Sequence, residues 1–235
     1  MCCGAFALCG RIGEREVATV EIADMDALRE YLRQAQMSRY TAVRCELTPE
    51  LSARVSDAGL VEALIMGLPM AQGVQHRIVR SRGRGALLTA KIRYREGVRM
   101  LDRWRNGRKL VLTDDEFFGL AKACDIAMDA FCLERAELRF ERVYSWICQN
   151  IRYVHTAPGQ KGYERLVGAA SVIRDRQANC QGFADLLYLL CGICGIDCEI
   201  RCGRGEKRLH VWNAVCLNGT WLDVDASKGA REQNS

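Results

Sequence analysis

Along the first part of the chain, apolar positions recur with a period of two in some stretches and of about 3.6 in others. Val17–Ile22 reads as a short strand. Asp24 then supplies an N-cap for an amphipathic helix to about Met37, with Leu28, Tyr31, Leu32 and Ala35 on one face. Tyr40–Leu47 alternates as a strand. Thr48 followed by Pro49 opens a second helix, because proline suits the first turn. The pattern carries this helix to Ile65 or Met66, with Gly59 as its weak point. Val74–Arg80 and Leu87–Tyr94 flank a glycine-rich turn as further strands. In the second of these, Ile92 and Tyr94 alternate with Lys91, Arg93 and Arg95, which predicts one basic face. These elements predict a small α/β domain over residues 1–110.

Residues 111–235 read differently. Thr113 and Glu116 form a capping box before a helix to about Cys132, and a second helix runs from about Glu134 to Asn150. A loop with Pro158 and Gly159 follows. From Cys180 onward, Phe183, Leu186, Leu187, Leu190, Cys191 and Cys194 stand at helical spacing, and Gly195 suits the helix end. Ile196, Cys198, Ile200 and Cys202 then alternate with Asp197, Glu199 and Arg201, as in a strand with one buried face. Leu209–Val224 is a hairpin around Asn218-Gly219, a dipeptide suited to a type I′ turn. That turn pairs Leu217 with Thr220 and sets Trp212 opposite Asp225, so His210 becomes the diagonal neighbour of Asp225 on one face. Asp223 shares the face but lies farther from His210.

The chain has 235 residues, 13 cysteines and a formal charge of +5. An odd number of scattered cysteines at this length reads as reduced, buried thiols rather than a disulfide frame, which points to the cytoplasm. Met1–Gly10 is mildly apolar but lacks a basic leader and is short for a secretory signal; as the remnant of a trimmed one it would make the protein secreted or cell-surface, the alternative location. No apolar run reaches the length of a membrane span. Between Arg77 and Lys109 stand twelve Lys or Arg against Glu96 and Asp102. This segment reads first as a solvated face and second as a docking surface for an anionic partner such as nucleic acid or an acidic polymer. Arg82-Gly83-Arg84-Gly85 resembles an arginine–glycine RNA-binding segment in a single copy. Cys191, Cys194, Cys198 and Cys202 have a spacing that hints at a metal cluster, but each fits the buried face of its own element. Neither a metal nor a cofactor is expected, and the sequence does not fix an oligomeric state.

The chemistry centres on Cys180. A helix N-terminus carries partial positive charge and free N–H groups, which favour a thiolate and can receive a developing oxyanion. His210 is the candidate base and Asp225 the group that orients it. Asn179, Gln181 and Trp212 are candidates for oxyanion or substrate contacts, while His76 and His155 read as ordinary surface or packed residues.

The segments Asn179-Cys180-Gln181-Gly182-Phe183-Ala184-Asp185-Leu186-Leu187, His210-Val211-Trp212-Asn213-Ala214-Val215 and Trp221-Leu222-Asp223-Val224-Asp225-Ala226-Ser227 resemble the transglutaminase-like superfamily. The helix ending in Tyr144-Ser145-Trp146-Ile147-Cys148-Gln149-Asn150 fits the segment that precedes its core. The resemblance implies an α+β, papain-like core with the cysteine helix packed on an antiparallel sheet. It also implies Cys180 as nucleophile, His210 as base and Asp225 as orienting acid. The expected activity is acyl transfer from amide bonds of a peptide or protein through a thioester, with hydrolysis favoured over amine cross-linking. The alternative is a non-catalytic module of the same fold. The chain departs from the family pattern at Ala178, where glycine is frequent, and at Ala226-Ser227, where Pro-Thr is common. It ends ten residues after Asp225, which predicts a more open site.

Overall fold

The structure is a computed structural model and describes residues 19–106, 111–204 and 209–233. It divides between Arg93 and Tyr94 into two compact units. The sequence pattern places a boundary near 110, but the helix Glu96–Asn106 belongs with the second unit.

In the first unit, β1 (Val20–Ile22), α1 (Met25–Met37) and β2 (Ala42–Leu47) form a β-α-β unit, with β1 parallel to β2. Val17 lies outside the described residues. Asp24 caps α1 by accepting from the N–H groups of Asp26 and Ala27. The single helix expected from Pro49 to Met66 is two: α2 (Pro49–Arg54) and α3 (Asp57–Gly67). The break falls at Val55, whose backbone is extended, and at Ser56, whose hydroxyl accepts from Gly59 N–H and starts α3 afresh. A serine that can cap competes with helix continuation, and the apolar pattern does not register it. β3 (Ala71–Ser81) and β4 (Gly85–Tyr94) complete a sheet of order β1-β2-β4-β3. Leu28 and Leu32 of α1, Leu60 and Leu64 of α3, and alternate residues of β2 and β4 form the core. Arg82–Gly85 lies at the turn between β3 and β4, with Gly83 at φ 72° and Gly85 at φ 85°.

The second unit begins with α4 (Glu96–Asn106), α5 (Asp114–Phe131) and α6 (Ala136–Asn150). The predicted capping box of Thr113 and Glu116 starts α5. A parallel pair of short strands, β5 (Arg152–Tyr153) and β6 (Gln177–Ala178), brackets a 3-10 turn at Tyr163–Leu166 and α7 (Ala169–Asp175). Next come α8 (Cys180–Ile193), an antiparallel sheet of β7 (Cys198–Arg204), β8 (Leu209–Leu217) and β9 (Thr220–Val224), and finally α9 (Ala226–Gln233). The expected one-sided helix at Cys180 is buried all round from Gly182 to Ile193. It packs against α4, α5, α6, α7 and α9 as well as β7 and β8, so it is the axis of the unit. The second unit is an α+β fold with its cysteine helix against an antiparallel sheet.

Lys109 and the start of the chain through Ala18 lie outside the described residues. The Arg77–Lys109 segment is divided between the units: Arg77 to Arg93 belong to the first, whereas Arg95 is buried in the second. Arg80 and Arg99 are engaged by Asp57 and Glu116. Arg95 falls after the last residue of β4, so strand alternation no longer governs where it points.

Candidate active site

Three local features place Cys180. The chain enters α8 through Asn179, whose N–H donates to the Leu166 carbonyl at 3.1 Å. The Asn179 side-chain oxygen accepts from Gln181 N–H at 2.9 Å and Gly182 N–H at 3.3 Å, so this residue is the N-cap. A Cβ at Gly182 would collide with the Leu166 carbonyl, so only glycine permits this close approach. Asn179 is a sequence candidate for a side-chain donor to an oxyanion; its carbonyl end serves the helix instead.

The hairpin places the second partner. Asn218 (φ 51°) and Gly219 (φ 79°) both occupy the left-handed region, as a type I′ turn requires. The β8–β9 register is the one read from the sequence, from Leu217↔Thr220 to Asn213↔Val224. His210 Nε2 lies 2.8 Å from Asp225 Oδ2, with the two side chains 34% and 25% exposed. Asp225 also heads α9: its Oδ1 accepts from Ser227 N–H at 3.0 Å, Ser227 Oγ–H at 2.6 Å and Lys228 N–H at 3.2 Å. Burial pushes this carboxyl up, but hydrogen bonds from Ser227 and His210 outweigh it and hold the group below its ordinary value. Ser227 therefore serves the carboxylate directly, a role that its position after a small residue did not reveal.

The two halves meet at β8. The backbone N–H groups of Val211, next to His210, and of Gln181 are within hydrogen-bonding reach of the Cys180 sulfur. With Nε2 committed to Asp225, Nδ1 is the imidazole nitrogen left for exchange with a thiol. The thiol is not depressed as the helix terminus predicted. Burial pushes it above its ordinary value and the Asp225 charge adds to this, against the Val211 and Gln181 N–H groups and the Arg95 charge. Desolvation outweighs the end of the helix because the sulfur is half-buried between α8 and β8.

The remaining candidates are placed as follows. Trp212 stacks on His210, with ring centroids 6.0 Å apart and planes at 15°, and its Nε1 donates to Asp223 Oδ1 at 3.0 Å. Asp223 takes Arg201 as well, at 3.1 Å, and stays apart from the imidazole pair. Gln181 is engaged at both ends of its amide, by Arg95 and by Tyr163. His76 and His155 are exposed. Cys191 and Cys194 are buried, and among the described residues no three or more His, Cys, Asp or Glu are grouped to hold a metal. The ten described cysteines form no disulfide with one another. No helix of the described residues is long and apolar enough to cross a membrane.

Sequence reasoning missed Arg95, Tyr163, Asp185 and Ser227. Asp185 left one readable signal, a lone carboxylate in the apolar run from Phe183 to Cys194. Arg95 left none, because it stands within a basic segment.

A helix that carries a thiol in its first turn, packed on a strand bearing an imidazole that a carboxylate holds, is the arrangement that the resemblance to a papain-like core implies. Residues 133–226, all within the second unit, match the family model of the transglutaminase-like superfamily. The kyphoscoliosis peptidase of Homo sapiens is 29% identical over 113 residues, which cover 42% of this chain and 17% of the relative. The chain thus spans about a sixth of the length of that curated relative. The solved structure of a TGase has 11% identity and a TM-score of 0.41, over 88% of this chain and 58% of the other. The periplasmic domain of TgpA from Pseudomonas aeruginosa has 15% identity and a TM-score of 0.40, over 71% and 68%.

Proposed function

We propose that the second unit is a cysteine-dependent acyl-transfer enzyme that cleaves amide bonds of peptides or proteins through a thioester on Cys180. The observation that carries this reading is the His210–Asp225 contact of 2.8 Å, on a strand whose next N–H, that of Val211, reaches the Cys180 sulfur. Because burial keeps the thiol protonated at rest, His210 acts as a base in the step itself. Nδ1 takes the thiol proton as sulfur attacks the carbonyl carbon. The Asp225 carboxylate holds Nε2–H and stabilises the imidazolium. The first-turn N–H of Cys180 receives the oxyanion. As the C–N bond breaks, the imidazolium returns its proton to the leaving amine, and the thioester remains. Water then attacks the thioester carbonyl, gives a proton to His210, and releases the acid as the thiol re-forms. An amine in place of water yields a new amide. Hydrolysis is favoured, supported by the name of the curated relative, a peptidase.

The test is mass-spectrometric trapping of an acyl adduct, using a panel of peptide thioesters and amides. An adduct on Cys180 that forms about a hundredfold more slowly or worse in His210→Ala supports the reading. Acylation spread evenly over the exposed cysteines, or indifferent to His210, overturns it in favour of a non-catalytic module.

A further inference from the structure

Arg95 precedes the segment that matches the family, yet its side chain stands behind the thiol site. It is 4% exposed. A guanidinium stays charged at physiological pH, so burying it requires compensation already in place. Its Nη1 donates to Gln181 Oε1 at 3.3 Å, and Gln181 directly follows Cys180. The other end of that amide donates to Tyr163 Oη at 2.5 Å, while Gln181 N–H is held by Asn179 Oδ1 at 2.9 Å. Arg95 is therefore tied to the first turn of α8 through a side chain that cannot swing away without breaking two bonds. Negative compensation comes from Asp185, further along the same helix and fully buried. Its Oδ2 accepts from Gly97 N–H and Ala169 N–H at 2.9 Å each, and Oδ1 has no hydrogen-bond partner among the described residues. The groups facing this pair are Cys180, Cys202 and Tyr163, with Glu96 beside Asp185 and Asp225 acting on the thiol.

We propose that Arg95 is a positioning residue of the thiol site, held on the first turn of α8 by Gln181 so that its buried charge favours the Cys180 thiolate. This rests on the reading of Cys180 as the nucleophile. Burial alone would leave the thiol hard to ionise, and a fixed cation offsets part of that cost without touching substrate. Asp185 opposes it by screening the same cation. The two residues therefore act on the thiol with opposite sign, which a purely structural role would not produce.

The experiment is the pH dependence of Cys180 alkylation by iodoacetamide, resolved by peptide mass spectrometry in the full chain, with exposed Cys132 as internal control. Arg95→Met raises the Cys180 midpoint by about one pH unit, and Arg95→Lys restores most of it. Asp185→Asn, which keeps the shape of the side chain, lowers the midpoint. Cys132 is unmoved in all three. If folded Arg95→Met leaves the midpoint in place, the proposal is overturned. Should that variant fail to fold, Asp185→Asn decides: a downward shift supports the proposal, while no shift or an upward one overturns it. The acyl-adduct assay separates the two levels. Opposite shifts without any adduct would sink the enzyme reading and leave the Arg95 effect standing; adduct formation without shifts would do the reverse.

Discussion

Among the described residues of the first unit the buried polar side chains are Gln36 and Ser52, and each has its partner: Gln36 Oε1 accepts from Met70 N–H at 2.8 Å, and Ser52 Oγ accepts from Arg80 at 2.9 Å. In the second unit they are Arg95, Glu116, Ser171, Asn179, Asp185, Asn213 and Ser227. Three of these, Glu116, Asp185 and Asn213, keep an oxygen without a hydrogen-bond partner among the described residues, and that of Glu116 is ion-paired with Arg99. An unpartnered buried acceptor costs about 1–3 kcal/mol. The first unit also keeps ion pairs such as Arg29–Asp26 and Arg33–Glu30 on its surface, where they contribute little. A domain shaped by packing alone has no reason to bury charge. Five of the second unit's seven, Arg95, Asn179, Asp185, Asn213 and Ser227, lie on α8, on β8 or at the starts of α4 and α9, whereas Glu116 and Ser171 lie on α5 and α7. The cost of an unpartnered buried acceptor is not met among the described residues of the first unit, and its concentration on the elements that carry Cys180 and His210 supports the proposed site.

The largest expected effect breaks the comparison at its chemical end. Asp225→Asn keeps an N-cap for α9, because asparagine caps as well as aspartate. Its amide nitrogen, however, donates to Nε2, which forces the proton onto Nδ1 and blocks that atom as a base. The acylation rate of Cys180 falls about a hundredfold or more, while the unfolding midpoint changes little. Single-turnover kinetics beside thermal unfolding measures both. Equal rates in the two proteins would strip the carboxylate of its orienting role and leave the polar cluster without a catalytic account.

A smaller effect sharpens the stability side. Asp185→Ala removes the acceptor of two buried N–H groups, those of Gly97 and Ala169, and costs about 3 kcal/mol in urea unfolding. Asp185 also sets a pH slope. Burial pushes its carboxyl up to about 6, against the Arg95 charge and the two N–H donors. The unfolded carboxyl titrates near ~4, so between these values the native chain holds the extra proton. Stability from this group is therefore full below about pH 4 and is lost as pH rises to about 6, by an amount on the order of 3 kcal/mol. Asp185→Asn removes that slope. A wild-type chain that gains stability from pH 4 to 6 relative to the variant would show that Asp185 is ionised throughout.

The same contrast explains what was legible in the sequence. Apolar periodicity, caps and the Asn218-Gly219 turn are local signals, and they located α1, α5, α8 and the β8–β9 register, including the approach of His210 to Asp225. The split between α2 and α3 was hidden because a serine cap leaves no trace in an apolar pattern. The Arg95–Gln181–Tyr163 chain and the Asp185 acceptor join residues far apart in sequence through buried polar contacts, for which no spacing rule exists. The state of the Cys180 thiol escapes the sequence for the same reason: the helix start is local, whereas the burial that outweighs it comes from tertiary packing.

The smallest effect concerns the first unit. Ser56→Ala removes the hydroxyl that accepts from Gly59 N–H and costs about 1 kcal/mol. With no capping residue at the break, the α2–α3 boundary frays first, so amide exchange quickens at the first turn of α3 before it changes elsewhere. All four tryptophans, Trp104, Trp146, Trp212 and Trp221, lie in the second unit, so their fluorescence reports that unit and amide exchange reports the other. The comparison requires the Ser56→Ala cost to be the same at pH 5 and pH 7, since Ser56 and Gly59 carry no titrating group, while the tryptophan-detected unfolding of the second unit still follows Asp185 over the lower part of that range. A Ser56→Ala cost that rose or fell with pH across it would couple the Ser56 cap to a group that titrates in that range, and the first unit would no longer serve as the electrostatically quiet half.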